Sequence, residues 1–354
     1  MISPSESPAK EYRIPSNLSD FQRDMYIHLI DWKRRHLTDQ PGHYAGHAYD
    51  AVLPEELKGQ LPHLYKPIRQ RFLNHQTTFH FKTHKFADHM ASSQVACANL
   101  FLPIMVQPTA APTILETVKP DLVSIATDQL DSGFRIEFWD ELRNGLPDQK
   151  GLLGDHNRST GTDADFAIAY RNHQGELNLW LIEYKLTEQE FTTCGGAKSK
   201  GRLAGKHSCD LIVDILSNTD LCYYQSACRY KYWNITTEHP TEFPRSNLLK
   251  TPGCPFIDGL NQLWRNQLLA IAIENSADWP YEKVFFSVVH HPRNSALTAS
   301  LQAFSSLTGN SGRFFSFTSD RLVETAKAGY SPELREWAAW YTDLYLSTAN
   351  TNAS

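Results

Sequence analysis

Asp165, Glu183 and Lys185 stand near the ends of two apolar runs in the stretch TDADFAIAYRNHQGELNLWLIEYKLTEQE, residues 162–190. Two carboxylates beside an amine suit the hydrolysis of a phosphodiester. Hard Mg²⁺, or Mn²⁺, takes carboxylate oxygens, retains several waters and leaves positions for a phosphate. Such a metal polarises the phosphate and lowers the pKa of an attacking water, and Lys185 would orient that water or offset developing negative charge. The other reading is a surface hairpin whose Glu183 and Lys185 form a solvated pair, since E-x-K triplets occur in many chains. The runs, Phe166 to Tyr170 and Leu177 to Leu186, have strand length and composition, and the polar segment RNHQGE separates them as a hairpin loop. Side chains alternate along a strand, so Asp165 shares a face with Asp163 and Ala167, and Glu183 with Lys185 and Leu181. Trp180, Ile182 and Tyr184 are left for the opposite face, and pairing of the runs would bring two or three carboxylates and one amine together.

Flanking elements must hold that hairpin. SSQVACANLF, residues 92–101, reads as a helix with Ser92 as cap and a stop near Pro103, packing on a sheet ahead of the hairpin. GFRIEFWDE gives a strand from Phe134 to Trp139 that carries Glu137, and GLLGDHNRSTGT is a polar, turn-rich loop leading into Asp163. PFIDGLNQLWRNQLLAIAIEN forms an amphipathic helix with Leu260, Leu263, Trp264, Leu268 and Ile271 on its apolar face and Gln262 and Arg265 one turn apart. YEKVFFSVVHHP and FFSFTSDRLVE each supply a strand, and SPELREWAAWYTDLYLS closes with a helix capped by Ser331 with Pro332 at its first position. Strands alternating with helices imply an α/β chain with a mixed central sheet flanked by helices.

An acid on one strand followed by Glu-x-Lys on the next resembles the signature of the PD-(D/E)XK nuclease superfamily, matched here by Asp165 and by Glu183-Tyr184-Lys185. The helix SSQVACANLF looks like the first helix of the bacterial restriction-endonuclease-like branch of that superfamily. This resemblance covers roughly residues 85 to 325. It implies a restriction-endonuclease-like mixed sheet and a Mg²⁺-dependent endodeoxyribonuclease with DNA as partner; the sequence leaves the oligomeric state open, a homodimer being one option. By the same resemblance Asp165 and Glu183 bind the metal, Asp163 is the alternate ligand, and Lys185 is the water-orienting or charge-stabilising group. Gln262 and Arg265 then lie where members of the superfamily often position substrate with a Gln and a basic residue. Many members carry a metal-binding Glu on the early helix, where this chain offers Gln94 and Asn99, so Gln94 becomes a substrate-side residue. The alternative is a protein that keeps the nuclease fold and binds nucleic acid without cleaving it; a third reading is an interaction protein with no nucleic-acid affinity.

The rest of the chain bounds these readings. At 354 residues and 41% hydrophobic, it has a globular composition long enough for one large or two ordinary domains. We expect an N-terminal helical extension over residues 1–82, with Phe21, Met25, Leu29 and Trp32 at helical spacing, and a nuclease-like domain over residues 83–354. A net charge of −5 argues against a broadly basic coat, but CGGAKSKGRLAGKHSC concentrates Lys198, Lys200, Arg202 and Lys206 without an acid, a candidate phosphate-binding loop. His75, His80, His84 and His89 fit no metal-ligand spacing well. Cys194, Cys209, Cys222, Cys228 and Cys254 lack a C-x₂-C knuckle and read as small buried hydrophobes; the sharper reading is an iron-sulfur cluster, as in some exonuclease relatives, or Zn. No signal-peptide core and no bilayer-length apolar segment is evident, so a cytoplasmic protein without membrane contact is expected.

Overall fold

Apolar alternation along the central strands builds two hydrophobic cores, one on each face of a single sheet. The computed structural model describes residues 12–141, 150–157, 160–199, 207–309, 312–329 and 331–347. The chain opens with α1 (Asp20–His36), a short hairpin of β1 (Gly42–Tyr44) and β2 (His47–Tyr49), and α2 (Arg69–Phe79). Next come α3 (Ser93–Met105), α4 (Ala111–Leu115), β3 (Ser124–Ile125), β4 (Phe134–Phe138), β5 (Ala164–Arg171) and β6 (Leu177–Lys185). The short helices α5 (Ile212–Ser217), α6 (Tyr223–Ser226), α7 (Tyr232–Glu238) and α8 (Arg245–Leu248) lead to α9 (Asn261–Glu274). Then follow β7 (Lys283–His290), α10 (Thr298–Leu307), β8 (Phe314–Thr318), α11 (Asp320–Ala328) and α12 (Pro332–Tyr341).

Six strands form the sheet in the order β3-β5-β6-β7-β8, with β4 pairing β5 on the same edge as β3. β5 and β6 are antiparallel, whereas β6–β7 and β7–β8 are parallel, which is the mixed sheet flanked by helices that the sequence leads one to expect. The β5–β6 loop closes around Asn172, whose side chain accepts from Gln174 N and Glu176 N at 3.0 and 2.9 Å, while Gly175 takes a φ of +79° that a side chain would resist. Phe166, Ile168, Tyr170, Trp180, Ile182 and Tyr184 face one core together with residues of α1, α3 and α12. Ala167, Ala169, Leu179 and Leu181 face the other, under α7, α9 and α10. The face assignment for both strands is the one their alternation gives. Met25, Leu29, Trp32 and Phe72, all within residues 1–82, lie in the same core as Phe166, Trp180 and Tyr341.

One boundary differs from expectation. α3 does not stop near Pro103 but runs on to Met105. Proline at 103 has no N–H to give to the carbonyl of Asn99, and that loss usually breaks a helix. Here the indole Nε1 of Trp337, on α12, donates to Asn99 O at 2.7 Å, so the carbonyl stays satisfied and the helix continues. Every residue from Gln94 to Met105 is buried, as befits a helix wedged between the sheet and α12. Among the described residues, no helix is long and apolar enough to cross a membrane.

Candidate active site

Register fixes the site. β4 pairs β5 through Ile136↔Phe166 and Phe138↔Ala164, so Glu137 and Asp165 lie between those pairs on facing strands. β5 pairs β6 through Phe166↔Ile182, and continuing that ladder sets Asp165 across from Glu183. Three carboxylates thus occupy one row over three adjacent strands, with Lys185 two residues further along β6. They line one cavity of about 750 Å³ together with Gln94 and Gln262. Glu137 has a left-handed φ of 49°, an uncommon conformation for a residue with a side chain, and it interrupts the ladder at the position where its carboxylate meets the cavity. His75 holds the strand in that form: its Nδ1–H donates to Asp131 at 2.8 Å and its Nε2 accepts from Ile136 N at 3.0 Å. The two partners require the neutral ring, consistent with burial pushing its pKa down to about 4.

Each carboxylate has a different set of donors. Glu183 receives Lys185 Nζ at 2.9 Å and Gln262 Nε2 at 2.6 Å on Oε1, and Asn266 Nδ2 at 3.0 Å on Oε2. Asp165 accepts from Tyr184 N at 2.7 Å, and Glu137 from Gln94 Nε2 at 2.8 Å. Gln94 is itself fixed by His84 N, which donates to its Oε1 at 2.8 Å. Glu183 and Lys185 are 3% and 8% exposed, so their pair is not the solvated surface contact of the alternative reading. Burial raises Asp165 well above the usual carboxylate range, with the charges of Glu183 and Glu137 adding to it against Lys185 and the Tyr184 N–H. Burial likewise pushes Glu137 to about 8, opposed by the Gln94 hydrogen bond and supported by Asp163 and Glu183. For Lys185 burial opposes the charge, but Glu183, Glu188 and Asp165 outweigh it and hold the ammonium firmly protonated. Burial and mutual repulsion thus keep protons on Asp165 and Glu137 in the metal-free row, and a hard divalent cation is the charge that could take the place of those protons on the carboxylate oxygens.

Other expected residues separate from this row. Asp163 is exposed at the cavity rim and pairs with His156 Nε2 at 3.0 Å, a contact that outweighs burial and raises the imidazole pKa. That ring stacks on Trp139 with centroids 3.9 Å apart. Arg265 turns away from its neighbour Gln262, reaching Gly161 O and Thr162 Oγ1 at 3.3 and 3.4 Å. It thereby braces the loop whose Asp155 accepts from Tyr232 Oη at 2.7 Å. Lys198 is exposed and donates to Thr193 Oγ1 at 3.1 Å, while Lys200, Arg202 and Lys206 lie outside the described residues. The cysteines are free thiols; Cys194 and Cys222 are buried, and Cys209, Cys228 and Cys254 half-buried. Among the described residues, no group of three His, Cys, Asp or Glu side chains is set to hold a metal ion.

Sequence reasoning passed over Glu137 as a site residue, because only the β4–β5 pairing reveals its row. It also passed over Lys82 and Lys85, which line the cavity with His84 from the exposed segment before α3. Their signal was present in the cluster KTHKF, two lysines and an aromatic within five residues.

A mixed six-stranded sheet flanked by helices is consistent with a restriction-endonuclease-like fold. The model of the family described as Restriction Endonuclease associating with ARP matches residues 27–346, and the chain belongs to that family. No match was found among curated proteins or among solved structures.

Proposed function

We propose that this chain is a Mg²⁺- or Mn²⁺-dependent endodeoxyribonuclease of the PD-(D/E)XK class. The observation that carries the reading is the row Glu137, Asp165 and Glu183 with Lys185 in one cavity. Asp165 and Glu183 would hold the metal, which when bound neutralises phosphate charge and lowers the pKa of the attacking water. Gln262 and Asn266 fix the Glu183 carboxylate, and the Tyr184 N–H fixes Asp165, so neither ligand has to reorganise when DNA arrives. Lys185 stays charged and donates from the side of Glu183, where it orients water or offsets the developing phosphorane charge. Glu137 supplies, from a strand, a third carboxylate that many superfamily members carry on the early helix, and Gln94 on that helix becomes its positioning residue. Lys82 and Lys85 at the cavity rim meet the phosphate backbone.

Incubating the pure protein with linear and with circular DNA, in Mg²⁺, Mn²⁺ or EDTA, tests this. Cleavage of both forms with either metal and none in EDTA is expected, with Asp165→Ala, Glu183→Ala and Lys185→Ala each reducing the rate by at least about 100-fold, the scale of removing a group that acts only in the transition state. Binding without cleavage would instead identify a nucleic-acid-binding protein that retains the fold. Sedimentation of the same samples reads whether a homodimer forms on DNA.

A further inference from the structure

A second cavity, of about 480 Å³, opens beside the first, and nothing in the nuclease reading uses it. His84, Lys85, Ser93 and Glu188 line both, so the two adjoin at the segment before α3. The walls of the second are aromatic: Tyr26, Tyr44, Tyr49 and Phe86, with His43 and His89. Tyr44 and Phe86 are 45% and 36% exposed, large rings left open to solvent. They lie against each other, centroids 5.3 Å apart and tilted by 56°. Tyr26 likewise faces His89 at 5.1 Å.

These rings are not loose surface. Tyr44 opens a tight turn, paired with His47 across Ala45 and Gly46, whose φ values of 49° and 82° give the left-handed turn that tight hairpins favour. The base of the hairpin is clasped by the buried Lys33, whose ammonium donates to Gln40 O, Asp50 O and Val52 O at 2.6, 2.8 and 3.0 Å. Leu53 N donates to Asp88 O, and Met90 N to Ala51 O, tying the hairpin to the segment that carries Phe86. Two lysines, Lys58 and Lys85, line the cavity. Its two acids are turned to the protein's own amides, Asp88 accepting from Gly59 N and Glu188 from Leu186 N and Thr187 N.

Resting on the nuclease reading, we infer that this cavity is a nucleobase subsite: it receives one unstacked base of the DNA strand whose phosphate lies at Asp165 and Glu183. Every base has a π-face, and aromatic side chains hold unstacked bases by stacking while cations track the backbone. The volume falls within the range of small-molecule sites. The shared lining sets the two cavities side by side, so a strand laid across the exposed Lys85 would have a phosphate at one and a base at the other.

The test uses the full chain in EDTA with short single-stranded DNA carrying 2-aminopurine, and the same strand with an abasic site at that position. We expect quenching of 2-aminopurine at one position, and a loss of affinity of about tenfold for Tyr44→Ala/Phe86→Ala on the base-containing strand, within the reach of base–aromatic stacking. The abasic strand should bind wild type and the double variant alike. Tyr44→Phe/Phe86→Tyr, which keeps both rings, should restore affinity and quenching, and far-UV circular dichroism verifies that each variant folds. Unchanged affinity in the alanine variant, or an equal loss on the abasic strand, would overturn the inference. Cleavage of plasmid DNA in Mg²⁺ is read separately: cleavage without quenching sinks the subsite alone, whereas quenching without cleavage leaves the subsite and removes the nuclease reading.

Discussion

At the scale of single residues, the carboxylate row is a local conflict held in place by the rest of the fold. Glu137 and Asp165 both favour the protonated form because burial and neighbouring carboxylates disfavour ionisation, Asp163 and Glu183 acting on Glu137, and Glu183 and Glu137 on Asp165. In the metal-free protein Glu137 titrates at about 8 when folded, against 4.5 in its ordinary state, so between those values the folded chain holds more protons than the unfolded one. Stability must then fall as pH rises through that window and level off above it. Glu137→Gln removes the titration while keeping the shape and the Gln94 contact. At pH 8 without metal it should stabilise the chain by about 1–2 kcal/mol, and at pH 4 it should change little. Urea unfolding at the two pH values measures this; equal stability of the variant and wild type at pH 8 would mean the carboxylate is not strained. Saturating Mg²⁺ should shrink the difference by stabilising wild type, since a ligand that binds only the folded chain adds to its stability.

Elements follow a different logic, because what completes one can lie far away in sequence. α3 tolerates Pro103 only because Trp337 reaches Asn99 O from a helix more than two hundred residues on. Trp337→Phe keeps most of the ring but leaves that buried carbonyl without a donor, which should cost about 2–3 kcal/mol. Restoring the main-chain donor with Pro103→Ala in the same chain should recover about 1 kcal/mol of it, a coupling that thermal unfolding of the two single variants and the double will show. Strictly additive losses would put the helix's tolerance of proline elsewhere. The same distance dependence decided what the sequence disclosed. The β5–β6 hairpin was legible because its alternation, its polar loop and its Glu183-Tyr184-Lys185 end are contiguous, and the caps Ser92 and Ser331 were legible for the same reason. Glu137 was not, since a mid-strand acid is ambiguous until β4 is known to lie beside β5. Nor was the divergence of Gln262 and Arg265: helical spacing puts them on one side of α9, but the loop at Gly161 draws the guanidinium away. The β1–β2 hairpin, three residues a side, is too short for periodicity to register.

At the scale of the whole molecule, the question is whether residues 1–82 are an appendage to the sheet or part of what folds it. Met25, Leu29, Trp32, Leu53, Leu64 and Phe72 are all nearly or fully buried, and they share a core with the sheet and with Trp337 and Tyr341 of α12. His28 Nε2 lies 2.9 Å from Asp343 O and Trp32 Nε1 donates to Asp343 Oδ2 at 2.8 Å, so α1 also closes the far end of the chain. His75 reaches β4 to hold the backbone beside Glu137. Removing the segment would strip a large side chain's worth of burial at each of those positions, each costing about 1.5–3 kcal/mol, against a total stability of about 5–15 kcal/mol for a domain. The ledger leaves no margin. A chain starting at residue 83 should therefore lack a cooperative thermal transition, bind a hydrophobic dye and show no DNA cleavage, even though every carboxylate of the row lies within it. A soluble residue 83–354 fragment that unfolds cooperatively and cuts DNA would show instead that the extension only supplies the aromatic cavity, and the nuclease sheet would then be a self-sufficient unit to which base recognition was added.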